Sequence, residues 1–146
     1  MYENSLNLLK TKGIEFERGL TLDELKQIEN IYQIKFPSSL REFLMRALPI
    51  SKGFYNWRNM QDDNVLFIKN IINKPLSDIY NMAEEVYWCD DWGEEPEDDA
   101  VISKKVRERL KEAPKLVPIY THRYMPMISD VNPPIISIHD LDVIYY

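Results

Sequence analysis

One cysteine, four glycines and two histidines in 146 residues are the scarcities that bound this chain. With Cys89 alone, an internal disulfide and any zinc or iron–sulfur site built from several cysteines are excluded, and a reducing compartment suits the chain. The glycines form neither GxGxxG nor GxxxxGK(S/T), which disfavours a phosphate-cradling loop. Neither His122 nor His139 falls at i, i+4 from another ligand type, so the spacing points to no metal, and no cofactor is expected. Cys89 with the distant His122 lacks the local signature of a nucleophile–base pair; a core or partly buried thiol is the plainer reading.

Long apolar runs are also missing. None approaches the roughly 20 residues of a membrane span, and the opening MYENSLNLLKTKG has no basic start, apolar middle or small-residue cleavage site. A soluble, cytoplasmic protein with no membrane contact is the expectation. Positive charge is short too: 18 Lys and Arg against 24 Asp and Glu leave a net −6. That sign is wrong for gripping a phosphate backbone, so direct nucleic-acid binding is not expected. It suits solubility, or docking onto a basic protein.

What is present fits one globular domain spanning 1–146, with hydrophobic residues at 45% and charged residues at 29%. The clearest signals lie in Leu20 to Leu48, which reads as two helices around Pro37. Thr21 and Glu24 have capping-box spacing, and Leu20 and Leu25 fit a hydrophobic staple. Leu22, Leu25, Ile28, Ile31 and Tyr32 repeat at threes and fours. Phe36 should be extended ahead of Pro37, which opens the second helix; Ser39 with Glu42 is a competing cap. Leu40, Phe43, Leu44, Ala47 and Leu48 then match a helical stripe that Pro49 closes.

Before this stretch, Tyr2 to Lys12 offers a weak helix ended by Gly13. After it, Ile50 to Asp63 reads as a loop with aromatic side chains tucked inward. Val65 to Ile68 is a short apolar run that predicts a strand, and Pro75 is expected to begin a new helix carrying Leu76, Ile79, Tyr80, Ala83, Val86 and Tyr87. A further helix follows Pro96, with acids at its start and Arg107, Arg109 and Lys111 at its end, as its dipole favours. Lys115 to Tyr120, Pro134 to His139 and Val143 to Tyr146 read as strands, the last two forming a hairpin about Asp140 to Asp142. His122, Arg123 and Tyr124 are expected to lock the loop between the first two. Helices early and strands late give an α+β fold, with N-terminal helices packed on a mostly antiparallel central sheet.

The sharpest local bias runs from Glu84 to Asp99, where nine acids occur with no Lys or Arg. The candidate partner-binding residues are Trp88, Asp90, Asp91, Trp92, Glu94, Glu95, Asp98 and Asp99: carboxylates to meet a basic protein and tryptophans to anchor it. The plainer alternative keeps the tryptophans in the core, gives Glu97 to Asp99 to a helix N-terminus and leaves the other acids solvated. A pair of these carboxylates acting as catalytic acid and base would need a separation and environment that spacing does not specify. No residue is assigned a catalytic role.

Two stretches resemble a known family. LTLDELKQIENIYQIKFPSSLREFL is similar to the N-terminal signature of the SUKH superfamily. WCDDWGEEPEDDA, APKLVPIYTHRYMP and PPIISIHDLDVIYY resemble the C-terminal half of its bacterial members. The resemblance covers most of the chain. It implies a SUKH-like α+β domain and a non-enzymatic, protein-binding role: many bacterial members are immunity proteins against toxins, often nucleases, whereas fungal relatives are linked to regulation of cell-wall glucan synthesis. The expected partner is therefore a basic toxin domain, the alternative being a scaffold or regulator of envelope metabolism. The family brings no catalytic residues. Its recurrent positions, here Pro37, Trp92, Gly93, Pro96, His122, Arg123, Tyr124 and Asp142, suit structural roles as well as functional ones. Members commonly continue past the Tyr-Tyr strand with a glycine and a further helix, which this sequence does not show.

Overall fold

A computed structural model describes residues 3–129, 132–139 and 142–145. Among the described residues, five α-helices and two antiparallel sheets make an α+β fold, as expected. Helices α1 (Glu3–Thr11), α2 (Leu22–Tyr32) and α3 (Ser38–Arg46) are interleaved with strands β1 (Phe16–Arg18) and β2 (Ala47–Pro49), which pair with each other. Helix α4 (Asp62–Asn81) and helix α5 (Asp99–Leu110) follow, then β3 (Leu116–Tyr120), β4 (Arg123–Pro126), β5 (Ile136–His139) and β6 (Asp142–Tyr145). The last four form a sheet in chain order, every neighbour antiparallel. The expected antiparallel pairing of β5 and β6 is present; residues 140–141, where the turn is expected, lie outside the described residues, as do Tyr2 and Tyr146. No helix among the described residues is long and apolar enough to cross a membrane.

The capping box at α2 forms as the spacing predicts. Thr21 Oγ1 accepts the Glu24 amide and Glu24 Oε1 accepts the Thr21 amide, both at 3.1 Å. Leu20 and Leu25 are both buried in the main core. Glu24 does more than cap. Its carboxylate also accepts from Arg58 Nε at 2.7 Å and from Arg18 at 2.8 Å, and Arg58 reaches Glu17 and the carbonyls of Arg18 and Gly19. These bonds tie β1, α2 and the aromatic loop together. They hold the Glu24 carboxyl at about 2, the Arg58 bond contributing most and the Arg18 bond next.

Three expectations are corrected. The stripe through Ala47 and Leu48 ends as helix at Arg46, because these two residues turn extended and pair with Arg18 and Glu17. The close approach needs Gly19: a Cβ there would stand 1.8 Å from the Met45 carbonyl oxygen. Pro37 takes the N-cap position of α3, without a side-chain cap from Ser39. Second, Val65 to Ile68 is helical, and no new helix begins at Pro75, for α4 runs through both. Ile68, Ile72 and Pro75 line its buried stripe while Leu66 and Phe67 face solvent, so the apolar run mixes two faces of one helix. Pro75 has no amide to give the Ile71 carbonyl, and Tyr124 Oη donates to that oxygen from β4 at 3.1 Å. Burial pushes the Tyr124 phenol up, keeping it a donor. Third, Arg123 and Tyr124 belong to strand β4 and not to a loop.

The main core joins α2, α3 and α4 to Val117 of β3 and Met125 of β4. The aromatic loop turns inward as expected: Trp57 is buried and meets Phe36 and Tyr32 edge to face at 5.0 and 5.5 Å. A second, smaller core of Ala83, Trp88, Ile102 and Val106 lies between the end of α4 and α5.

Candidate partner-binding surface

The acidic segment connects α4 to α5 through two 3₁₀ turns, Ala83–Glu85 and Asp90–Trp92. Its indoles are fixed by their surroundings. Trp88 is 7% exposed, and its Nε1 donates to the Gly93 carbonyl at 2.9 Å. Gly93 makes that bond possible with φ +88°, a conformation other residues rarely adopt. Trp92 meets Trp88 edge to face at 5.2 Å, and the Arg109 guanidinium stands over its outer side, 5.7 Å from the ring centre. Arg107 donates to the Tyr80 carbonyl and stacks on the Tyr80 ring, pinning α5 to the end of α4.

This platform divides the eight candidate residues. Asp90, Asp91, Glu94 and Glu95 are exposed on the connecting turns. None of them takes part in an ion pair between described residues. Asp98 is exposed but occupied, as the N-cap of α5 accepting the Ala100 amide at 2.8 Å, and Asp99 lies in that helix's first turn. Trp88 faces inward and holds the platform together, whereas Trp92 is half-buried. Glu84, outside the candidate set, accepts from Ser103.

Sequence reading missed two features here. Tyr87 is 89% exposed in the same connecting segment as the exposed acids, while its neighbour Trp88 is buried. The extended backbone at Val86 sends adjacent side chains to opposite sides, and a sequence of consecutive aromatics does not say which goes inward. The other feature is a cleft of about 410 Å³ floored by the two indoles and walled by Lys105, Glu108, Arg109 and Glu112 of α5. Cations therefore flank the acidic face, a proximity created by the return of α5 over the indoles.

Among the described residues, no group of three or more His, Cys, Asp or Glu side chains is arranged to hold a metal ion. Cys89 is a free, half-buried thiol. Comparison with protein-family models, with curated proteins and with solved structures found no match to this chain.

Proposed function

We propose that the chain is a non-enzymatic, protein-binding domain whose partner is basic, and that it acts as an immunity protein, neutralising a bacterial toxin domain. The observation that carries the reading is the set Asp90, Asp91, Glu94 and Glu95: exposed, without ion pairs to described residues, and mounted on turns that an indole pair holds. A backbone already held in place need not be ordered on docking, and complementary charge speeds encounter. Tyr87 supplies an exposed aromatic in the same segment, the side-chain type that most often anchors an interface. The SUKH resemblance supplies the toxin as partner class; the charge alone asks only for a basic protein.

Co-expression with basic toxin-like proteins encoded nearby tests this. Protection of the host, lost when Asp90, Asp91, Glu94 and Glu95 are changed to lysine, is the expected outcome. Protection that survives the reversal removes this surface from the proposal. Recovery of envelope enzymes and no toxin in a pull-down would transfer the domain to a scaffolding role.

A further inference from the structure

His122 closes the turn between β3 and β4, immediately before β4, and His139 ends β5, the strand beside β4 in the sheet. The β4–β5 register pairs Arg123 with Ser137 and Tyr124 with Ile136. It continues one step outward where the Ile138 amide donates to the His122 carbonyl at 2.9 Å. This bond brings the imidazoles to 5.9 Å between ring centres, with their planes 82° apart. Both line a cavity of about 270 Å³ beside the Pro75 turn of α4, together with Tyr55, Lys74, Asp78 and Tyr124.

We propose that His122 and His139 form a two-imidazole site for a borderline divalent transition-metal ion such as Zn²⁺, Ni²⁺ or Cu²⁺. A ligating nitrogen stands about 2.0–2.1 Å from such an ion and roughly 1.1 Å from its own ring centre, so two bound rings have centres about 4.5–6.4 Å apart as the angle at the metal opens from a right angle to a line. The observed 5.9 Å lies inside that interval. A tetrahedral ion needs the rings closer by less than about 1 Å, a shift that rotation of exposed side chains supplies.

Ligand chemistry selects the class. Imidazole suits Zn²⁺, Ni²⁺ and Cu²⁺, whereas Mg²⁺ and Ca²⁺ require oxygen ligands. No third His, Cys, Asp or Glu among the described residues completes the set, so water fills the remaining positions and the ion stays exchangeable. An oxygen atom stands near one ring: Thr121 Oγ1 is 3.5 Å from His122 Nδ1. Such a neighbour orients a metal-bound ring through its other nitrogen. Two cations stand nearby, Lys74, paired with Asp78 in the same cavity, and Arg123, which donates to Thr121 Oγ1 at 3.3 Å, so the binding rests on the imidazole nitrogens and not on the local field. A bound ion joins the β3–β4 turn to the end of β5 and stabilises the sheet by mass action.

The test titrates the untagged chain with Zn²⁺ and, separately, Ni²⁺. Because the chain has two histidines, their ring NMR signals are readily assigned. One ion per chain, both ring signals moving together and a higher Tm with metal are expected. His122→Ala and His139→Ala should each weaken binding about tenfold or more and each lose the metal-dependent rise in Tm, measured from that variant's own metal-free Tm. Cys89→Ser should bind as the unaltered chain does. Full affinity in either alanine variant, loss of affinity in Cys89→Ser, or saturation only at millimolar metal would overturn the site.

Discussion

Acids serve opposite ends in the body of the protein and in the connection between α4 and α5. Glu24 caps α2 and accepts from two arginines, with Glu17 engaged by one of them. Asp90, Asp91, Glu94 and Glu95 cap no helix and form no ion pair with a described residue. The cores beneath them differ in scale as well: among the described residues, fifteen are buried under the first region and four under the second. Fold stability should therefore reside in the body, and the connecting platform should be able to change its surface at little cost. Negative charge by itself does not distinguish these roles; what faces each carboxylate does.

The largest test of that contrast removes core volume. Ile28→Ala, at a fully buried site of α2, should cost about 3–4 kcal/mol in chemical denaturation. Ile102→Ala, in the small core, should cost nearer 2 kcal/mol, and amide exchange should place its loosening in α5 and the acidic turns. Equal costs, or exchange raised throughout the chain by Ile102→Ala, would make the two regions one cooperative unit.

A smaller effect separates the acids. Glu24→Gln should cost about 1–2 kcal/mol at neutral pH, discounted because Arg18 is largely exposed. Its folded pKa lies at about 2, below the ordinary value of 4.5. The stabilisation is therefore fully present above about pH 4.5 and is lost as pH falls from there toward 2. Urea melts across that window should show a pH slope in the unaltered chain that Glu24→Gln reduces. The smallest effect belongs to the platform: Asp90→Asn, Asp91→Asn, Glu94→Gln and Glu95→Gln combined should change stability by less than about 0.5 kcal/mol, while binding to a basic partner falls. A clear loss of stability would show that these carboxylates work for the fold.

Local rules carried the α2 capping box, the α5 N-terminus and the β5–β6 pairing, because each is set by side chains a few residues apart. They failed at Val65 to Ile68, where an apolar run of four fits a strand and a helix equally, and where the stripe was settled by the surface α4 packs against. They failed again at β4, a strand that exists because β3 and β5 flank it. In the candidate surface, the exposure of the acids followed from their polarity. Which of Tyr87 and Trp88 turns outward did not, since both are aromatic and only the packing of α5 gives one of them a core.

By itself, then, the sequence determined the α+β class, the net charge and the starts of α2 and α5, all consequences of composition and of neighbours along the chain. The tertiary structure decided that Pro75 stays within a helix, since the donor replacing its missing amide arrives from Tyr124 on a distant strand. It also decided that Glu24 is held by two arginines and that His122 meets His139. Each of these depends on residues remote in sequence, whose distance in space is set only when the helices close on the sheet.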